Sequence, residues 1–301
     1  MVTTITLNPA VDYHVSIDIL TQGESLSSSC SEYFAGGKGI NVSNVLKNLK
    51  KETNAIAFLG GFTGDYIKSL TKDILIPIPI QDTTRINTKL KTLKTETEIH
   101  GVAPNISLEE FTQLKQKLQS MNMDYLVLSG SLPKSLPIDS YLQIINTVAP
   151  TTQIVLDTRG QALKEAINSP NLFLLKPNKA ELSEFFNCKI DTNQDALVYA
   201  QKMYQEYDIK FLIISLGSVG AYFLYQDQVY FAKGLEGKLI SSVGAGDSMI
   251  AGFISKYIDT QDVIESFKYS IACGSGTAFS HDLCTLETAN ELYNKVIVKL
   301  I

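Results

Sequence analysis

The chain has 301 residues but no tryptophan, only three histidines and only four cysteines. His14, His100 and His281 stand far apart, so a histidine-based triad or a histidine-rich metal site has little to draw on. Cys30, Cys188, Cys273 and Cys284 include no Cys-x-x-Cys pair, which argues against a zinc site or a disulfide framework and for a reducing, cytoplasmic setting. No apolar run approaches the ~18 residues of a membrane helix. Met1–Asn8 lacks the basic region and long apolar stretch of a secretory signal, so no membrane partner is expected. Positive charge is also short. With 26 Lys and Arg against 31 Asp and Glu, the net charge is −5, and no global field recommends nucleic acid. An anionic ligand has to be met by local cations and backbone amides.

What remains is the composition of a globular protein, 45% hydrophobic and 19% charged, with no repeats or long linkers. The length suits one domain over residues 1–301 with a small appendage better than two equal domains. The most informative stretch is Ser241-Ser242-Val243-Gly244-Ala245-Gly246-Asp247-Ser248, which runs into an apolar, helix-compatible segment. Amides at a helix start can hold an anion. Asp247 beside them is either a carboxylate stabilised by the helix dipole or a base working next to that anion. A second glycine-rich stretch, Gly36-Gly37-Lys38-Gly39-Ile40-Asn41, leads into apolar positions 42, 45, 46 and 49 at helical spacing. It lacks the spacing of a Walker A loop. Asp12 follows the Asn8-Pro9 turn, and spacing alone leaves it open as a turn carboxylate.

Between these stretches, apolar strands alternate with helices. Residues 125–129, 153–157, 172–175 and 211–216 read as buried strands, with helices expected at about 107–120, 138–149, 180 onward and 194–206. This predicts an α/β fold with a mostly parallel sheet covered on both faces, whose ligands bind beyond the strand carboxyl ends. Ser129, Asp157, Lys176, Asn178 and Ser215 fall at those ends. Residues 222–225 and 229–232 predict a hairpin near one edge, and 74–80 an edge strand. Residues 84–92 alternate at period two, with Arg85, Asn87, Lys89 and Lys91 on one face. In isolation that face fits a solvated surface; the sharper reading is a basic cover over an anionic substrate. Segments of about 11–35 and 82–101 together predict a small β lid.

The two glycine-rich stretches, with Pro9-Ala10-Val11-Asp12, Ser129-Gly130-Ser131-Leu132-Pro133, Lys176-Pro177-Asn178-Lys179-Ala180-Glu181 and Ser215-Leu216-Gly217-Ser218-Val219-Gly220 in order between them, resemble the ribokinase/PfkB family of carbohydrate kinases over nearly the whole chain. Thr6–Tyr13, Thr84–Asn87 and Glu96–Ile99 are most similar to the 1-phosphofructokinase branch, with tagatose-6-phosphate kinases close by. His100 departs from the usual asparagine, as Ser241 does from Asn or Asp. The resemblance implies a ribokinase-like three-layer α/β/α fold and transfer of phosphate from ATP, with Mg²⁺, to a phosphosugar. The preferred reaction is fructose 1-phosphate to fructose 1,6-bisphosphate; the alternatives are tagatose 6-phosphate phosphorylation and a catalytically silent sugar-phosphate sensor. A nicotinamide-dependent dehydrogenase is disfavoured because its early Gly-x-Gly-x-x-Gly turn is missing.

By the same resemblance Asp247 is the base, and the amides of Gly244, Ala245, Gly246 and Asp247 form the anion hole. Asp12, Gly37, Lys38, Asn41, Arg85, Lys89 and Ser129 bind the sugar phosphate, with Ser131 as a further hydroxyl donor. Lys176, Asn178 and Ser215, Leu216, Gly217, Ser218, Val219 and Gly220 meet the nucleotide. Asn178 and Glu181 influence Mg²⁺ through water, and Cys273 could line the adenine pocket. A homodimer through the lid is also implied.

Overall fold

Tyr125-Leu126-Val127-Leu128-Ser129 shows how the apolar strands are used in the structure, a computed structural model that describes residues 1–301. Leu126 and Leu128 pack into one core, Tyr125 and Val127 into another. Ile154 and Leu156 against Val155, and Leu212 and Ile214 against Phe211 and Ile213, divide in the same way. Period two therefore sorts residues between two helix-covered faces, so these strands carry no polar alternation.

The chain begins with β1 (Val2–Thr6), passes into a smaller sheet as β2 (Ala10–Ser16) and β3 (Cys30–Gly36), and returns through α1 (Lys38–Asn48) to β4 (Thr53–Leu59). After α2 (Gly61–Leu70) and β5 (Leu75–Pro79), β6 (Arg85–Lys91) and β7 (Glu96–Ile99) complete the smaller sheet. Alternation then follows through α3 (Leu108–Gln119), β8 (Tyr125–Ser129), α4 (Ser140–Ile145), β9 (Gln153–Asp157), α5 (Gly160–Ala166) and β10 (Leu172–Leu175). α6 (Lys179–Phe186) and α7 (Asn193–Glu206) precede β11 (Phe211–Ser215) and the hairpin of β12 (Gly220–Tyr225) and β13 (Gln228–Lys233). The chain closes with α8 (Ala245–Thr260), α9 (Val263–Ala278), α10 (Leu286–Tyr293) and β14 (Val298–Leu300).

The large sheet has ten strands in the order β14-β13-β12-β11-β10-β9-β8-β1-β4-β5. Neighbours from β11 through β5 are parallel, and β12 to β14 extend the sheet with antiparallel pairs. Helices α3 to α7 contribute Phe111, Tyr141, Leu163, Leu182 and Met203 to one core; α1, α8, α9 and α10 contribute Val45, Phe253, Phe267 and Leu292 to the other. The smaller sheet runs β3-β2-β6-β7. No helix is long and apolar enough to cross a membrane.

One local expectation shifts. α4 is shorter than 138–149: its end tightens into three-residue turns at Thr147 and Val148, where β-branched residues approach Pro150. α2 starts at Gly61, where Thr84 Oγ1, just before β6, accepts the Gly60 amide and anchors the turn. α10 has its own local signal, a Thr285 cap followed by Leu286, Ala289, Leu292 and Tyr293 at helical spacing, whereas the three-residue β14 has none and exists through its pairing with β13.

Candidate active site

The first turn of α8 begins at Gly244, whose φ of 77° lies in the left-handed region that favours glycine. That geometry turns the chain so that the helix opens toward the carboxyl ends of the parallel strands. The amides of Gly246 and Asp247 have no backbone acceptor, leaving two donors free at the positive end of the helix dipole. Lys176, just beyond β10, places its Nζ 3.0 Å from where a Cβ on Gly246 would lie, so glycine there lets the ammonium lie close to these amides.

Asp247 is buried, 5% exposed, and its Oδ2 accepts a 2.8 Å hydrogen bond from Asn41 Nδ2 on α1. Burial, and then the neighbouring Asp157 charge, raise its pKa to about 6, with Lys38, the Asn41 hydrogen bond and Lys176 opposing. At neutral pH it is ionised yet far more basic than an ordinary aspartate. Asp157 ends β9 in the company of two cations: Lys176 Nζ donates to Oδ1 at 3.2 Å, and Lys38 Nζ lies 3.2 Å from Oδ2 and 3.6 Å from Glu181 Oε1. Burial alone would raise the Asp157 pKa, but Lys176 and Lys38 together hold it below the usual carboxylate range. Asp157, against the drag of burial, and Glu181 hold Lys38 well above the normal lysine range.

These groups surround one cavity of about 640 Å³. The smaller sheet forms its other wall. In the parallel register, Ala10, Asp12 and His14 on β2 stand beside Arg85, Asn87 and Lys89 on β6. Asp12 lies in this strand and accepts from Asn87 Nδ2 at 2.9 Å, so it is not a turn carboxylate. A side chain at Gly36 would collide with its carboxylate, which is why that position on β3 is glycine. The basic face of β6 is the inward one: Arg85, Asn87 and Lys89 line the cavity, while Ile86 on the other face is 39% exposed. Asn8 Oδ1, Arg85 Nε and Ser129 Oγ are buried without a partner in the chain, and all three residues line the cavity. Unpaired buried polar atoms are costly, and their grouping at one surface marks it as built for a polar ligand.

Of the residues expected at the site, Asp12, Gly37, Lys38, Asn41, Arg85, Lys89, Ser129, Ser131, Lys176, Asn178, Glu181, Gly244, Gly246 and Asp247 meet around this cavity. Ala245 opens the helix beside them. Ser215, Leu216, Gly217, Ser218, Val219 and Gly220 do not line it; they form a short turn after β11, with Gly217, Ser218 and Val219 exposed, joined to the site where Ser215 bridges Asn178. Cys273 cannot line a nucleotide pocket, because it is fully buried between α8 and α9 against Gly252. Lys38 is expected at substrate phosphate, yet its Nζ is taken by Asp157 and Glu181. Asn8, Glu98, His100 and Arg159 also line the cavity, as does Asn87 from the basic face of β6. The strand-end position of Asp157 and the β6 alternation hinted at Asp157 and Asn87; no local signal marks Asn8 or Arg159.

A carboxylate of raised pKa beside a set of donors for an incoming anion, held together at one end of a parallel sheet, is what phosphoryl transfer to an alcohol requires. Residues 3–289 match the pfkB family of carbohydrate kinases, and the chain belongs to that family. It is 40% identical over 303 residues to a 1-phosphofructokinase of Bacillus subtilis, covering 99% of both chains. It is 32% identical to a tagatose-6-phosphate kinase of Staphylococcus epidermidis, again over 99% of each. The Escherichia coli phosphofructokinase-2 crystallised with substrates and products superposes with a TM-score of 0.90 at 26% identity, covering 98% of each chain. The fold is ribokinase-like, as the motif order implied.

Proposed function

We propose that this chain transfers the γ-phosphoryl group of ATP to the C6 hydroxyl of fructose 1-phosphate, giving fructose 1,6-bisphosphate and ADP. The observation that carries the reading is the pairing of a buried Asp247, its pKa raised to about 6, with the free amides of its own helix start. Asp247 accepts the hydroxyl proton while Asn41 holds the carboxylate in place. The amides of Gly244, Gly246 and Asp247, with Lys176 above them, receive the charge of the phosphoryl group, whereas the Ala245 amide of the expected hole is turned to Ser242 O at 3.4 Å. Asp12 and Asn41 hydrogen-bond sugar hydroxyls; Arg85 and Lys89 meet the sugar's phosphate, and Lys38 joins them only by leaving its carboxylate partners. Ser129, with its unpaired hydroxyl, and Ser131 supply further contacts to the sugar, and the turn from Ser215 to Gly220 lies along the nucleotide. The smaller sheet acts as a lid on a single kinase domain.

Magnesium fits as an ion held by the donor's phosphates. Asn178 and Glu181 cap each other reciprocally at the start of α6, Asn178 Oδ1 accepting the Glu181 amide and Glu181 Oε2 the Asn178 amide, both at 2.9 Å. Those atoms are poor inner ligands, whereas Glu181 Oε1 lies outside the box and can reach a hydrated ion through water. When bound, the ion neutralises phosphate charge.

Fructose 1-phosphate is preferred because the identity to the 1-phosphofructokinase exceeds that to the tagatose-6-phosphate kinase by 40% to 32%. A kinetic panel of fructose 1-phosphate, tagatose 6-phosphate and fructose 6-phosphate tests this. The highest kcat/KM is expected for fructose 1-phosphate; a dominant value for tagatose 6-phosphate overturns the substrate, and no turnover of any makes the chain a silent sensor. The same reading places the enzyme in the cytoplasm as a homodimer through the lid, whose outer residues include the exposed Tyr33, Ile86 and Ile99. Sedimentation equilibrium of the full chain should give twice the monomer mass, and a monomer at all concentrations refutes the dimer.

A further inference from the structure

The cavity holds cations, but few of them are free to meet an anion. Lys89 on β6 stands directly opposite Glu98 on β7 in the antiparallel register, and its Nζ lies 2.7 Å from Glu98 Oε1. Lys89 is the more buried partner, at 11% exposure of its side chain against 41% for Glu98. Both residues line the cavity, as does His100, whose Nε2 is 3.8 Å from the other oxygen of the same carboxylate. On the opposite flank His14 pairs with Lys89 across β2 and β6; its burial, and then Lys89 itself, push it toward the neutral form, so it offers no second positive charge. The hydrogen bond from Lys89 keeps the Glu98 carboxyl below its ordinary range, against its partial burial.

A carboxylate paired with an ammonium and facing an imidazole on a cavity wall stands among the donors a phosphate would use. We infer that Glu98 is a built-in competitor for the phosphate of the sugar substrate: its carboxylate occupies Lys89 and faces His100, and the substrate's phosphate binds there by displacing it. This rests on the reading of Lys89 as a phosphate contact. A dianionic phosphate gains more from Lys89 than a single carboxylate does, so the exchange runs forward, but it runs against a cost that Glu98 sets. Glu98 has room for this movement, being the more exposed partner on a short edge strand of the smaller sheet. Because it is more than one-third exposed, solvent screens the pair and the cost is modest.

The test is Glu98→Gln in the full-length protein, read by titration with inorganic phosphate alone and by steady-state kinetics with fructose 1-phosphate. At low ionic strength the variant should bind inorganic phosphate about two- to fivefold more tightly, with KM for the phosphosugar falling by a similar factor and kcat little changed. Added salt should shrink the difference between variant and parent. Lys89→Met should weaken phosphate binding whether or not Glu98 is also replaced. Unchanged or weaker phosphate binding by the Glu98→Gln variant overturns the inference, since Glu98 would then be an ordinary partner that positions Lys89. The titration needs no turnover. A parent protein that fails to phosphorylate fructose 1-phosphate therefore sinks the proposed reaction without deciding the role of Glu98.

Discussion

Asp247→Asn should lower kcat by about 10³-fold or more, while KM for fructose 1-phosphate stays within a small factor. The substitution keeps the shape and an oxygen for Asn41 Nδ2, so the loss reports the missing proton acceptor and not a collapsed site. Turnover near that of the parent would remove Asp247 from the mechanism. The parent should show an acid limb in kcat/KM near pH 6, with activity falling about tenfold per pH unit below it, because the protonated carboxyl no longer accepts the hydroxyl proton. Stability moves the other way. A folded-state pKa raised above the unfolded value makes this group most stabilising when protonated, and that contribution is lost as pH rises through about 6. The Asn variant escapes this penalty, so at pH 8 its Tm should exceed the parent's by a few degrees, the usual trade of a catalytic charge held in a buried site.

Asp157→Asn carries the second large effect. Lys176 and Asp157 are both buried, with side-chain exposures of 5% and 1%, and removing the carboxylate leaves Lys176 without its counter-charge. Breaking a buried pair from one side costs about 3–5 kcal/mol; Lys38, more exposed and still beside Glu181, adds less. Denaturant unfolding of parent and variant measures the loss. The variant should also move the acid limb to lower pH. The Asp157 charge is among the causes that raise the Asp247 pKa, and without it Lys38 and Lys176 favour the ionised base more strongly. An unmoved acid limb in a folded variant would show that Asp157 does not tune the base.

Much of the fold was legible because its signals are local. The Ser107 capping box with Glu110 marks the start of α3 within four residues, and runs such as Phe211-Leu212-Ile213-Ile214 declare strands covered on both faces. The hairpin was also readable, although its turn is two residues long, with Gln226 and Asp227 both at positive φ, and the strands reach further than the apolar residues alone suggest. Signals were too weak at β14, three residues long, and at the end of α4.

The parallel α/β architecture, the two glycine-rich turns and the place of Asp247 in the first turn of a helix all follow from residues close together along the chain. Spacing along one chain is enough for those features. Tertiary structure decided which charges meet. Asn41 and Asp247 are 206 positions apart, and Lys38 reaches Asp157 and Glu181 across separate elements. Alternation gave β6 a basic face, but only the packing of the smaller sheet over the strand ends turned Arg85 and Lys89 inward and set Lys89 against Glu98. Period two defines two faces of a strand; what covers each face depends on the rest of the fold.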